Sequence, residues 1–75
     1  MNLVFRPLPY RKVKKRLIDL GFQPIRPKGS HVFFENPDGR TTVVPNHPGE
    51  DIGRGMIRKI CKDIDIDLDN FYSEV

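Results

Sequence analysis

Two β-type runs, His31-Val32-Phe33-Phe34-Glu35 and Arg40-Thr41-Thr42-Val43-Val44, are separated by Asn36-Pro37-Asp38-Gly39. Asn at the first turn position, Pro at the second and Gly at the fourth are the preferences of a type I turn. A hairpin follows, and the rest of the chain must be arranged around it. If Glu35 faces Arg40 across the turn, alternation sets His31, Phe33, Thr42 and Val44 on one face and Val32, Phe34, Thr41 and Val43 on the other. Neither face is wholly polar. A small sheet covered by its own helices on one side keeps apolar area on the second, which points to a protein partner or to self-association.

The flanks supply the helices. Before the hairpin, Tyr10, Val13, Leu17 and Leu20 recur at helical spacing and Gly21 follows as a stop signal, so a helix is expected over Pro9 to Leu20. The stretch Phe22-Gln23-Pro24-Ile25-Arg26-Pro27-Lys28 carries two prolines, which cannot donate to a ladder, so it is expected to be an edge or irregular strand. Gly29-Ser30 interrupts it. After the loop Pro45-Asn46-His47-Pro48-Gly49, the spacing of Met56, Ile57, Ile60, Cys61 and Ile64 predicts a second amphipathic helix. Asp67 is placed to cap one further short helical turn. The expected order is helix, three strands, helix and a C-terminal turn, an α+β fold with helices on one face of an antiparallel sheet.

A chain of 75 residues is expected to be one domain over residues 1–75. At that size it buries only roughly 60% of the surface its unfolded form exposes. Charge is unevenly distributed: residues 1–30 carry eight basic side chains and one acid, whereas residues 31–75 carry five basic and nine acidic. Five cations fall within six residues of the first helix, Arg11, Lys12, Lys14, Lys15 and Arg16. They form either a solvated helix face or a docking surface for phosphates or an acidic partner.

No apolar run approaches the length of a membrane span, so no membrane partner is expected. Met1-Asn2-Leu3-Val4-Phe5, followed by Arg6-Pro7, does not read as a secretory signal, and a cytoplasmic location is the expectation. Cys61 is the only cysteine, which removes an intramolecular disulfide and any site built on several thiolates. Asp63, Asp65, Asp67, Asp69 and Glu74 match acidic positions of a calcium loop, but Leu68 stands where the sharp turn requires Gly. No metal and no cofactor are expected.

The stock of nucleophiles and bases is short. Ser30 and His31 are neighbours whose side chains point to opposite faces in an extended chain, so they do not form a nucleophile pair. Cys61 belongs to an apolar helix face, where a thiol is inert. Imidazole chemistry beside cations remains: a histidine can take the proton of a ribose 2′-hydroxyl while Lys and Arg stabilise charge on the adjacent phosphate. Taken alone, His31 reads as a packing or hydrogen-bonding residue, and His47 as a helix-entry or turn residue. Residue chemistry by itself gives a basic α+β module that binds something anionic.

The order and spacing of Gly29-Ser30-His31-Val32-Phe33-Phe34, Asn36-Pro37-Asp38-Gly39-Arg40, Val44-Pro45-Asn46-His47-Pro48-Gly49 and Ile52-Gly53-Arg54-Gly55-Met56-Ile57-Arg58-Lys59-Ile60 resemble the HicA (YcfA-like) toxin family of type II toxin–antitoxin systems, over about residues 8 to 72. The resemblance implies a double-stranded-RNA-binding-domain-like fold, in the order helix, three strands, helix. It implies a ribonuclease acting on messenger RNA, inhibited by a HicB-type antitoxin, with His31 of the Gly-Ser-His motif as the catalytic histidine. By position and charge, Lys28, Gly29, Ser30 and Arg40, with Arg11, Lys12 and Lys15 of the first helix, would hold the RNA. A non-catalytic RNA-binding module of the same fold is the alternative, and a pure protein-interaction domain a third.

Overall fold

The computed structural model describes residues 5–75. Met1 to Val4, where the expectation about a secretory signal begins, lie outside them. The chain runs as strand β1 (Leu8–Pro9), helix α1 (Tyr10–Asp19), strands β2 (Gln23–Lys28), β3 (His31–Glu35), β4 (Thr41–Pro45) and β5 (Asp51–Ile52), then helices α2 (Arg54–Ile64) and α3 (Leu68–Ser73). β2, β3 and β4 form an antiparallel sheet with β3 in the centre, while β1 and β5 make a separate two-stranded pair. This is the expected α+β arrangement, consistent with a double-stranded-RNA-binding-domain-like fold. The short β1–β5 pair was not expected from the sequence.

The hairpin forms at the predicted turn, but with a different register. The Gly39 N–H donates to the Asn36 carbonyl at 2.8 Å, the bond of a type I turn, and the Asn36 N–H donates to the Arg40 carbonyl at 2.9 Å. The closing pair is therefore Asn36 with Arg40. Gly39, at φ 99°, is the left-handed extra residue that follows such a turn in a three-residue loop. That extra residue makes Glu35 face Thr41 rather than Arg40. The faces sort accordingly: Val32, Phe34, Thr42 and Val44 point inward, and His31, Phe33, Glu35, Thr41 and Val43 point outward. The expected grouping of Thr42 and Val44 with His31 is thereby corrected.

Val13 and Leu17 of α1, Ile57, Ile60, Cys61 and Ile64 of α2 and Phe71 of α3 close over Phe34 and Val44 in one buried cluster. The molecule measures 37 × 31 × 17 Å, the short dimension being that of two layers. Among the described residues no helix lies against the outer face of the sheet. β2 occupies a sheet edge and is irregular between Pro24 and Pro27, as its prolines predict.

Polar side chains fix the ends of these elements. Asp67 sits at the start of α3, yet its carboxylate makes no capping bond; its carbonyl accepts the Phe71 N–H at 2.9 Å. The Asn36 amide donates to the Leu20 carbonyl at 3.2 Å and its oxygen accepts the Asp38 N–H at 3.0 Å, tying the hairpin turn to the end of α1. Asn36 is nearly buried, so Asn36→Ala leaves that carbonyl without its partner. Urea unfolding of Asn36→Ala is expected to show a loss of about 2 kcal/mol with an unchanged slope.

Arg16 departs from the expectation that it belongs to an exposed cationic face. It is only 6% exposed. Its guanidinium donates to the Phe71 carbonyl at 2.9 Å, to the Asn70 carbonyl at 2.8 Å and to the Asn70 side-chain oxygen at 3.1 Å. These acceptors lie near the C-terminal end of α3, where carbonyls lack intrahelical partners and the helix dipole favours a cation.

Candidate functional site

Lys28 and His31 are paired directly across the β2–β3 hairpin. Gly29 and Ser30 form the two-residue turn between them, with Gly29 at φ 62°. A positive φ at the first central position suits the right-handed twist of a hairpin and favours glycine there. The Gly-Ser pair between two β-type runs is itself a hairpin signal, and the sequence offered it.

His31 opens β3 and stands on its outer face, exposed. Among the described residues its imidazole enters no side-chain hydrogen bond or ion pair. On the opposite side Pro45 of β4 is its register partner. The Asn46 N–H donates to the Ser30 carbonyl at 2.6 Å, which anchors the loop containing His47 beside the Gly-Ser-His step. His47 is exposed and begins a turn closed by the Glu50 N–H on its carbonyl at 3.0 Å. The backbone thus gathers Lys28, Gly29, Ser30 and His31 at one end of the sheet.

Arg40 is at the other end of β3 and β4. Its guanidinium pairs with Asp38 at 2.9 Å, donates to the Ile64 carbonyl and lies over the Phe22 ring at 5.1 Å. The hydrogen bond from Arg40 holds the Asp38 carboxyl below its usual range. These contacts make Arg40 a clamp between the hairpin turn and the end of α2, and they do not bring it to His31. Arg11 and Lys15 are exposed and Lys12 half-buried on α1, which belongs to the helix layer behind the sheet. Lys15 pairs with Asp19 at 3.1 Å, one turn along the helix.

Cys61 is buried in the core, 4% exposed, and burial pushes its thiol up to about 11. A thiol so placed is protonated at neutral pH and is not a nucleophile. Asp63, first of the acidic run, accepts from Lys59 at 2.9 Å and from the Thr42 hydroxyl at 3.0 Å, joining α2 to the sheet. Among the described residues no helix is long and apolar enough to cross a membrane.

The outer face near His31 can bring one imidazole, one ammonium group and a bare turn backbone to a phosphodiester. Among the described residues no second base hydrogen-bonds or ion-pairs with the first. Comparison with known families finds that the family described as the HicA toxin of bacterial toxin–antitoxin systems matches residues 10–66. No curated protein matches the chain.

Proposed function

The chain belongs to the HicA toxin family, and from that membership we propose that it is a metal-independent endoribonuclease acting on messenger RNA, with His31 as general base. Membership makes it the toxin of a toxin–antitoxin pair, so an antitoxin is its partner. We further propose that this antitoxin is of the HicB type and inhibits by covering the His31 end of the sheet.

The observation that carries the proposal is the placement of His31, exposed and without a side-chain partner among the described residues, with Lys28 directly opposite. A histidine kept for packing is normally buried or hydrogen-bonded. In the proposed step His31 takes the proton of a ribose 2′-hydroxyl, and the 2′-oxygen attacks the adjacent phosphorus. The bond to the 5′-oxygen breaks, and that oxygen takes a proton from solvent, leaving a 2′,3′-cyclic phosphate and a 5′-hydroxyl. Lys28 offsets the negative charge that builds on the phosphate. Gly29 presents no side chain to an approaching backbone, and the Ser30 hydroxyl is available to a phosphate oxygen.

Arg11, Lys12 and Lys15 serve in this proposal as cations for the RNA backbone. Arg40 contributes through the fold, by holding the hairpin turn. The proposal requires that the protein cleave RNA in excess EDTA at the rate seen without it. Abolition of cleavage by EDTA would overturn it in favour of a metal site, and binding without cleavage would favour the non-catalytic RNA-binding module.

A further inference from the structure

The outer face of the sheet carries a partly exposed aromatic ring. Phe33 is two residues along β3 from His31 and on the same face, and it is 38% exposed. Two residues of extended strand span about 6.7 Å. A ring at that separation from a reacting ribose is within reach of the neighbouring base. The register of β2 adds to this. Pro24 pairs with Phe34 and Pro27 with Val32, so Ile25 and Arg26 both stand opposite Phe33 in the irregular segment. Ile25 is 46% exposed, and Val43, opposite Phe33 on β4, is half-buried.

The result is an apolar platform centred on one ring, with His31 and Lys28 on one side and Glu35 on the other. Arg26 and Lys28 are exposed and, among the described residues, enter no ion pair. Platform and cations together match a nucleotide: a π-face for the base and positive charge for the phosphates flanking it.

We propose that Phe33 is a base-stacking subsite for the nucleotide next to the scissile bond, and hence that the substrate at His31 is single-stranded RNA. The inference rests on the ribonuclease proposal and adds to it the strand state of the substrate and the residue that positions it. A duplex keeps its bases stacked on one another and cannot offer one to a sheet surface.

The chain has no tryptophan, so Phe33→Trp introduces a single fluorophore at the platform. A single-stranded 2′-O-methyl oligonucleotide, which lacks the free hydroxyl needed for cleavage, should quench its emission, and the same strand in a duplex should not. With cleavable RNA, Phe33→Ala should raise KM roughly tenfold with kcat near that of the unaltered protein, because stacking of this kind is binding shared by ground and transition states. Phe33→Tyr should restore KM. Phe33 is 38% exposed on the central strand, so Phe33→Ala should lower the unfolding midpoint, and KM is read at a temperature where the variant is folded. Normal KM in Phe33→Ala, with cleavage intact, would overturn the subsite and leave the ribonuclease proposal standing. Equal quenching by duplex and single strand would also overturn it, as would a response of Phe33→Trp to a partner protein with none to RNA. Absence of any cleavage by the unaltered protein would overturn both.

Discussion

His31→Ala should reduce RNA cleavage about a thousandfold, within the range that a positioned general base contributes. Its expression should no longer arrest growth. Because His31 is exposed and without a side-chain partner among the described residues, its removal should leave the fold intact, with stability changed by less than about 0.5 kcal/mol. RNA binding should survive in large part, since Lys28 and the cations of α1 remain. The measurement is a single-turnover cleavage assay beside a thermal unfolding curve on the same preparation. A folded His31→Ala protein that cleaves at the full rate would remove His31 from the chemistry.

The second large effect concerns stability. Arg16→Met keeps the length and apolar stem of the side chain while removing every donor, so the carbonyls of Asn70 and Phe71 lose the bonds that end α3. Bonds from a charged donor contribute about 1.5–3 kcal/mol each, and an abandoned buried acceptor adds its own desolvation cost. The expected loss is about 3 kcal/mol or more, a large part of the stability of a chain this small. α3, six residues long, cannot hold a helical form without its contacts, so its amides should exchange with solvent early. Lys15→Met, one residue away on the exposed side, removes only a surface pair with Asp19 and should cost less than about 0.5 kcal/mol. Equal unfolding midpoints for the two variants would contradict the role assigned to Arg16.

Arg16 also shows where residue type misleads. The helix was legible from Val13 and Leu17, and Arg16 lies on the edge of the stripe those residues define. Nothing local says that this cation turns inward, because its acceptors lie more than fifty positions along the chain. Arg40 misleads in the same way: beside a turn it looks like a free cation, yet it is held by Asp38, by the Ile64 carbonyl and by the Phe22 ring. Counting charges along the sequence overstated the cations available to a ligand, since a guanidinium with five donors is also the group best suited to satisfying buried carbonyls.

The hairpin illustrates a finer limit. Its turn type was readable from Asn36, Pro37 and Gly39, but the same glycine allowed an additional turn residue, and one residue of register exchanges the two faces of β4. The β1–β5 pair, two residues on each side, carries no periodicity from which it could be read. The Gly-Ser-His step was visible as a motif. Alternation already put His31 on the face of Phe33; that His31 is paired with Lys28 and exposed needed the strand pairing.

The role given to His31 requires the neighbouring 2′-hydroxyl as the nucleophile, and this can be tested at the substrate. An RNA cleaved at one position should become resistant when the ribose on the 5′ side of that bond carries 2′-O-methyl, and the unmodified strand, in excess EDTA, should end in a 2′,3′-cyclic phosphate. Cleavage of the modified strand at the same bond, or products ending in a 3′-hydroxyl and a 5′-phosphate, would contradict the assignment.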